Sequence, residues 1–284
     1  MRNFLDSIAE PAPDSVTITD HHTSSSDGHR VLVRTYRPIA AAAGALPCVF
    51  RIYGGGLITG SITSNDWTSG SLAAELGVAV AAVEYRVAPE ARYPAAIDDC
   101  HAGYTFIEKH ADELEMDPDR VAILGVSAGG GLAAALALRL RDRGNRPPRL
   151  LLLRYPMLDD RNTTTSSHAI TDNRTWSREF NLFGWNAYLD GRAGSDDVLA
   201  DAAPARADDL TGFPATAITV GGLDLFLDEN MTFAQRLAAA GVDTELHVYP
   251  GAFHGVHNVA RDSVLVGRWL DDEHRALRRA LFAP

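Results

Sequence analysis

Ser127 sits where a hydroxyl could become a nucleophile. It is the centre of Gly125-Val-Ser-Ala-Gly129, at the junction between an apolar run of strand character, Val121 to Leu124, and an Ala- and Leu-rich run at helical spacing. Gly-x-Ser-x-Gly at a strand-to-helix turn forms a nucleophile elbow. The sharp turn holds the serine clear of the sheet, and the flanking glycines let strand and helix pack closely. The amide of Ala128, first in the helix, can then face a developing oxyanion. Glycine-rich turns also bind phosphate at helix N-termini, but neither Gly-x-x-x-x-Gly-Lys-Ser/Thr nor Gly-x-Gly-x-x-Gly is found here.

A serine nucleophile needs a base, an acid that orients the base, and donors for the oxyanion. In sheets whose strands alternate with helices, such groups gather in the loops at the carboxyl ends of strands. Asp224 lies in such a loop, after the apolar run Ala215 to Val220, and His254 lies in another, after Thr244 to Tyr249. Asp224 is read as the acid and His254 as the base. His257 is the second choice for base, and His247, inside a strand run, is read as structural. Asp228 and Glu229 open a helix and are read as N-terminal caps and dipole partners. Gly54-Gly55-Gly56 ends the apolar run Pro47 to Tyr53, which only Arg51 interrupts. With no side chains in the way, the amides of Gly54 and Gly55 could join that of Ala128 as an oxyanion hole.

The elements that must position these groups follow from periodicity. Val16 to Thr19 and Val31 to Tyr36 alternate around Ser24-Ser-Ser-Asp-Gly28 and predict an antiparallel pair at a sheet edge. Apolar strands at 47–53, 78–83, 121–124, 150–155, 215–220 and 244–249 alternate with helices at 64–76, 94–110, 128–143, 229–240 and 260–281. Pro94 suits a first helical turn. This alternation argues for an α/β fold with a mostly parallel sheet covered on both faces. It stops between Met157 and about Pro204, where Trp176, Phe180, Phe183, Trp185 and Tyr188 fall near helical spacing. They are either a stripe packed on the core or part of a cap helix lining a pocket. Residues 1–15 are polar and proline-punctuated, with one helical turn expected, and 40–45 form a small-residue loop.

The 284 residues, 46% of them hydrophobic and 22% charged, suit one domain with a large core. A net charge of −11 argues against nucleic acid as a partner. No apolar run is long enough to span a membrane, and the start, with Asp6 and Glu10, does not read as a signal peptide. Cys48 and Cys100 fall in apolar patterns and read as reduced packing residues of a cytoplasmic protein. His21, His22 and His29 lie around one turn, with no Cys or carboxylate pattern to complete a metal site.

Taken together, the chain resembles the bacterial hormone-sensitive-lipase-like esterases of the α/β-hydrolase superfamily. The marks are Tyr53-Gly-Gly-Gly56, Glu84-Tyr-Arg-Val-Ala-Pro-Glu90, Tyr93-Pro-Ala-Ala-Ile-Asp-Asp99, Gly125-Val-Ser-Ala-Gly-Gly130, Tyr155-Pro-Met-Leu-Asp-Asp160, Asp224-Leu-Phe-Leu-Asp-Glu229 and Phe253-His-Gly255. The resemblance implies an eight-stranded, mostly parallel sheet and carboxylic-ester hydrolysis. By motif it implies Ser127, Asp224 and His254 as the triad and Gly54, Gly55 and Ala128 as oxyanion donors, with no metal or organic cofactor. Homodimers are a form such chains take. The family usually has His at the position of Tyr53, Asp at those of Val126 and Glu84, and a longer N-terminal cap segment.

These readings give one α/β-hydrolase domain over residues 1–284, with a cap insertion at about 160–200 that residues 1–15 could join. Tyr53, Leu57, Trp176, Phe180 and Phe183 are expected to line the substrate pocket. The expected substrate is a small to medium acyl ester. The alternatives are an amidase or carbamate hydrolase with the same triad, or a non-catalytic small-molecule binding protein on this scaffold.

Overall fold

The computed structural model describes residues 9–41 and 44–283. The helical turn expected near the N-terminus has no counterpart in residues 9–15, and its remainder, like part of the 40–45 loop, lies outside the described residues.

Eight strands form one sheet: β1 (Val16–Ser24), β2 (Arg30–Pro38), β3 (Leu46–Ile52), β4 (Ala79–Val83), β5 (Met116–Val126), β6 (Leu150–Arg154), β7 (Thr216–Leu223) and β8 (Thr244–Phe253). Their spatial order is β1-β2-β4-β3-β5-β6-β7-β8. β2 pairs antiparallel with β1 and with β4, and every other pairing is parallel. The helices are α1 (Asp66–Leu76), α2 (Ala95–Lys109), α3 (Ala128–Asp142), α4 (Thr165–Ala169), α5 (Arg178–Tyr188), α6 (Leu227–Ala239), α7 (Val256–Val259) and α8 (Val264–Phe282). This is the α/β-hydrolase architecture expected from the sequence. Pro94 differs slightly, preceding its helix rather than sitting in the first turn.

The central strands carry continuous apolar runs because helices cover them on both faces. Every residue of β3 and of β4 is buried. Arg51 is the polar exception on β3. Its guanidinium donates to Ser69 Oγ on α1 and to Asn65 Oδ1, which satisfies donors that burial would otherwise leave unpaired. β1, at one edge, buries little beyond Val16. Cys48 and Cys100 are buried free thiols. His21 Nε2 lies 3.1 Å from Thr35 Oγ1, a partner within the edge hairpin.

Most of the apolar interior is one cluster centred on β3, β4, β5, β6 and α3. A second, smaller cluster gathers Tyr155, Val220, Tyr249, Ala252, Val256, Val266 and Trp269. It ties the ends of β6, β7 and β8 to α8. Among the described residues, no helix is long and apolar enough to cross a membrane.

Candidate active site

The elbow forms because β5 stops at Val126 and α3 starts at Ala128, leaving Ser127 alone in the turn. Its backbone takes φ 56 and ψ −120, a region that side-chain-bearing residues rarely adopt. Strain of this kind costs about 1–3 kcal/mol and persists only where the surroundings impose it. Here the Ser127 amide donates to the Arg154 carbonyl at 2.9 Å, and its own carbonyl accepts from Gly130, Gly131 and Met157. Gly129 explains the tightness. A Cβ there would lie 2.2 Å from the Tyr53 carbonyl oxygen and 2.3 Å from that of Ile52. Only glycine lets α3 ride this close to the end of β3, and that contact brings the elbow beside the triple-glycine loop.

Three strand ends converge at this point. His254 Nε2 lies 2.9 Å from Ser127 Oγ. His254 Nδ1 lies 2.9 Å from Asp224 Oδ2 and 3.1 Å from Oδ1. Asp224 is 1% exposed, and its Oδ1 also accepts the Phe226 amide. The imidazole is packed by aromatic rings, with Tyr155 at 4.5 Å and Phe226 edge-on at 5.1 Å between centroids. A hydroxyl, an imidazole and a buried carboxylate in line can move one proton off the serine and hold the resulting charge.

His257 stands elsewhere. It is buried against Trp269, ring edge to face at 4.6 Å, and neither ring nitrogen has a hydrogen-bond partner among the described residues. Burial, then the Arg154 charge, pushes its pKa down to about 3. Without a carboxylate to orient it, it lacks what a general base needs. His247 lies in β8 with Nε2 2.6 Å from Glu245 Oε1.

Gly54 is next to the elbow: a Cβ on it would fall 3.0 Å from that of Ser127. The Ala128 amide opens α3, where the helix itself supplies no acceptor. The loop is shaped by a turn in which the amides of Ile58 and Thr59 both donate to the Gly55 carbonyl. Gly56, at φ 60, has the Trp176 ring where its side chain would stand, 1.9 Å from a built Cβ. The Trp176 indole donates to Asn181 Oδ1 of α5, so the 160–200 segment rests directly on this loop.

The five residues expected to line a pocket are not brought together on one wall. Tyr53 is 1% exposed, and its hydroxyl is committed to Glu84 Oε1 and the Tyr85 carbonyl. Leu57 is buried as well. Trp176 and Phe180 are partly buried, with centroids 5.9 Å apart, whereas Phe183 points outward at 59% exposed. Trp185 and Tyr188, from the same aromatic series, belong to the main core. The stripe therefore divides between core, loop contact and surface.

The expectation for Asp228 and Glu229 as caps is corrected. Both stand in the first turn of α6, but Asp228 accepts the Ser166 amide at 2.7 Å and Glu229 accepts those of Leu158 and Asp159. Glu229 is buried, and burial holds its pKa well above the usual carboxylate range. These carboxylates tie the segment after β6 to α6. Tyr155, Phe226 and Glu229 were not singled out as site residues from sequence. For Tyr155 the signal was its place at the end of the strand beside β5.

The sequence matches the family described as alpha/beta hydrolase fold over residues 49–258. Esterase LipI of Mycobacterium tuberculosis (strain ATCC 25618 / H37Rv) is 33% identical over 74% of this chain, which spans 65% of LipI. An ethyl acetate hydrolase of Pseudomonas putida is 32% identical over 87% of this chain and 78% of its own length. The solved structure of a bacterial heroin esterase superposes with a TM-score of 0.91 at 41% identity, covering 95% of this chain and 86% of that one.

Proposed function

This chain belongs to the hormone-sensitive-lipase-like esterases of the α/β-hydrolase fold, and on that premise we propose a mechanism for its carboxylic ester hydrolysis. Ser127 Oγ attacks the ester carbonyl as His254 Nε2 takes its proton. Asp224 fixes the imidazole with Nδ1 protonated and stabilises the imidazolium that forms. The amides of Gly54, Gly55 and Ala128 receive the oxyanion. His254 then gives its proton to the leaving alcohol, and an acyl-enzyme remains. Water, activated by the same imidazole, attacks the acyl carbon and releases the acid.

The observation that carries this reading is the continuous line from Ser127 Oγ through His254 to Asp224, with 2.9 Å at each step. The substrates are esters with small acyl groups. The ethyl acetate hydrolase among the relatives favours a short acyl chain. Residues 160–200 act as the cap over the site, seated on the glycine loop through Trp176. The two buried thiols suit a reducing compartment such as the cytoplasm.

Initial rates on p-nitrophenyl esters from acetate to dodecanoate, with Ser127→Ala alongside, test the proposal. Turnover that peaks at short chains and vanishes in the variant supports it. Turnover that survives in Ser127→Ala removes the serine from the mechanism. A rate that rises with chain length removes the small-acyl assignment.

A further inference from the structure

The imidazole of His254 is attached by bonds that do not set its plane. The outer torsion of a histidine side chain is broad rather than confined to three wells. The loop that carries it runs between Gly251 at φ 78 and Gly255 at φ 77, two residues with no side chain to brace it. Asp224 meets the Nδ1 corner with both carboxylate oxygens, at 2.9 and 3.1 Å, and so fixes a point rather than a plane. Yet Nε2 must face Ser127 Oγ, 2.9 Å away, for a proton to cross.

Two aromatic rings supply the plane. Tyr155, just beyond β6, lies 4.5 Å from the imidazole between centroids, with the rings tilted by 59°. Phe226, in the loop after β7, stands at 5.1 Å and 83°. Walls at such different angles oppose different rotations of the ring they touch. Each wall is itself fixed. Tyr155 has φ 36, a backbone conformation that a bulky residue rarely adopts. Its amide donates to the Thr219 carbonyl at 2.6 Å, and its ring meets Trp269 edge to face at 5.9 Å. Backbone strain that the surroundings hold in place gathers at functional sites. Phe226 is fully buried, and its amide donates to Asp224 Oδ1 at 2.9 Å. One residue thus orients the carboxylate and walls the imidazole. We propose that Tyr155 and Phe226 are positioning residues that hold the His254 ring in the plane from which Nε2 reaches Ser127. The inference rests on the assignment of Ser127 as nucleophile and His254 as base.

The demand falls on the imidazole twice in each turnover. In acylation Nε2 takes the serine proton and gives it to the leaving alcohol. In deacylation it takes a proton from water and returns it to the serine oxygen as the acid leaves. Each transfer needs a heavy-atom reach of about 2.6–3.2 Å. A ring free to swing spends part of its time outside that reach. Leucine at either position keeps the surroundings apolar but offers no flat wall. Phenylalanine at 155 keeps the wall and removes only the hydroxyl. At this position the ring counts and the hydroxyl does not.

The test compares Tyr155→Phe, Tyr155→Leu and Phe226→Leu with wild type on p-nitrophenyl acetate, with thermal unfolding to report the folded fraction. Each leucine variant should lower kcat about tenfold with KM unchanged, a loosening short of the 1 Å misplacement that can cost ~10². Phosphonylation of Ser127 by a p-nitrophenyl phosphonate, which needs the same base, should slow by the same factor. The proton NMR line of the His254 Nδ1–H should broaden as the ring samples more positions. Tyr155→Phe should keep most of the wild-type kcat and a sharp line. Wild-type kcat and phosphonylation rate in folded Tyr155→Leu and Phe226→Leu would overturn the proposal. So would losses that follow the folded fraction alone, or a loss in Tyr155→Phe equal to that in Tyr155→Leu. If Tyr155→Leu fails to fold, Phe226→Leu reads the same imidazole from the other strand end. Turnover surviving in His254→Ala would instead sink the base assignment on which the two walls depend.

Discussion

The amide of Ser127 donates to the carbonyl of Arg154, so the strained nucleophile hangs on the residue that ends the neighbouring strand. Arg154 is itself fixed. Its guanidinium pairs with Glu273 of α8, whose Oε1 also accepts from Thr219 Oγ1 and the Trp269 indole, each at 2.8 Å. Burial alone would raise the Glu273 pKa, but the arginine outweighs it and holds the carboxyl down at about 2. Glu273→Gln strands a buried guanidinium without its counter-charge, which costs about 3–5 kcal/mol. Chemical denaturation should show that loss. Activity at low temperature should also fall, because the elbow is hung from the same residue. A stability change below about 1 kcal/mol would show that the pair is dispensable.

Asp224→Asn should leave the fold intact, since the amide oxygen can still accept from Phe226. With an amide NH₂ against Nδ1, the imidazole loses its useful tautomer, and kcat should fall by up to ~10⁴. The measurement is kcat at pH 7 to 8 together with a thermal unfolding curve. A loss under tenfold in a folded variant would mean that Asp224 does not orient the base.

The buried His257 gives stability an acid slope. Its folded pKa, about 3, lies below the ordinary histidine value of about 6.5, so the unfolded chain binds a proton that the folded protein refuses. Stability should therefore fall as pH drops from about 6.5 toward about 3, with this residue contributing about 1.4 kcal/mol per pH unit inside that window. His101, lowered to about 4 by burial and then by Arg143, adds a slope of the same sign. Urea unfolding of His257→Gln at pH 7, 6, 5 and 4 should give a flatter line than wild type. Parallel lines would place the slope elsewhere.

Two glycines should respond in opposite ways to alanine. Gly129→Ala drives a methyl into the backbone oxygens of Ile52, which ends β3, and of Tyr53 just beyond it, and relief requires helix and strand to part. We expect a cost of about 1–3 kcal/mol, with loss of turnover. Gly267, exposed within α8, has nothing within 4 Å of a built Cβ. Gly267→Ala should add about 0.5–1 kcal/mol with kcat unchanged. Equal effects at both sites would mean that the contact at the elbow yields easily.

How much of this was legible in the sequence differs between residues. The sheet was legible because unbroken apolar runs such as Ala79–Val83 have few homes other than a strand covered on both faces. The meeting of Ser127, Asp224 and His254 was legible because each follows such a run, and parallel strands deliver their carboxyl ends to one side. Glu229 was misread because a carboxylate in a first helical turn usually serves its own helix. Only tertiary packing reveals that this one reaches the amides of Leu158 and Asp159. The aromatic series at 176–188 was ambiguous for a related reason. Helical spacing predicts a face, but the direction of that face depends on how a short helix meets its neighbours. Trp185 turned inward and Phe183 outward. Tyr53 was expected in a pocket, yet its hydroxyl finds Glu84, a partner 31 positions away that no local pattern announces.

The smaller apolar cluster, which packs Val256, Val266 and Trp269 around Tyr155, sets an order on the birth of the molecule. Synthesis runs from the N-terminus, so the glycine loop and the elbow exist before the imidazole does. Until the end of β8 emerges with His254, a nascent chain holds a serine with no base to deprotonate it, and α8 closes over the strand ends later still. The smaller cluster buries far fewer side chains than the main core, so mild heating should loosen it first. Hydrolysis would then cease while the larger cluster around β3 and β5 is still intact, and the protein would fall silent before it comes apart.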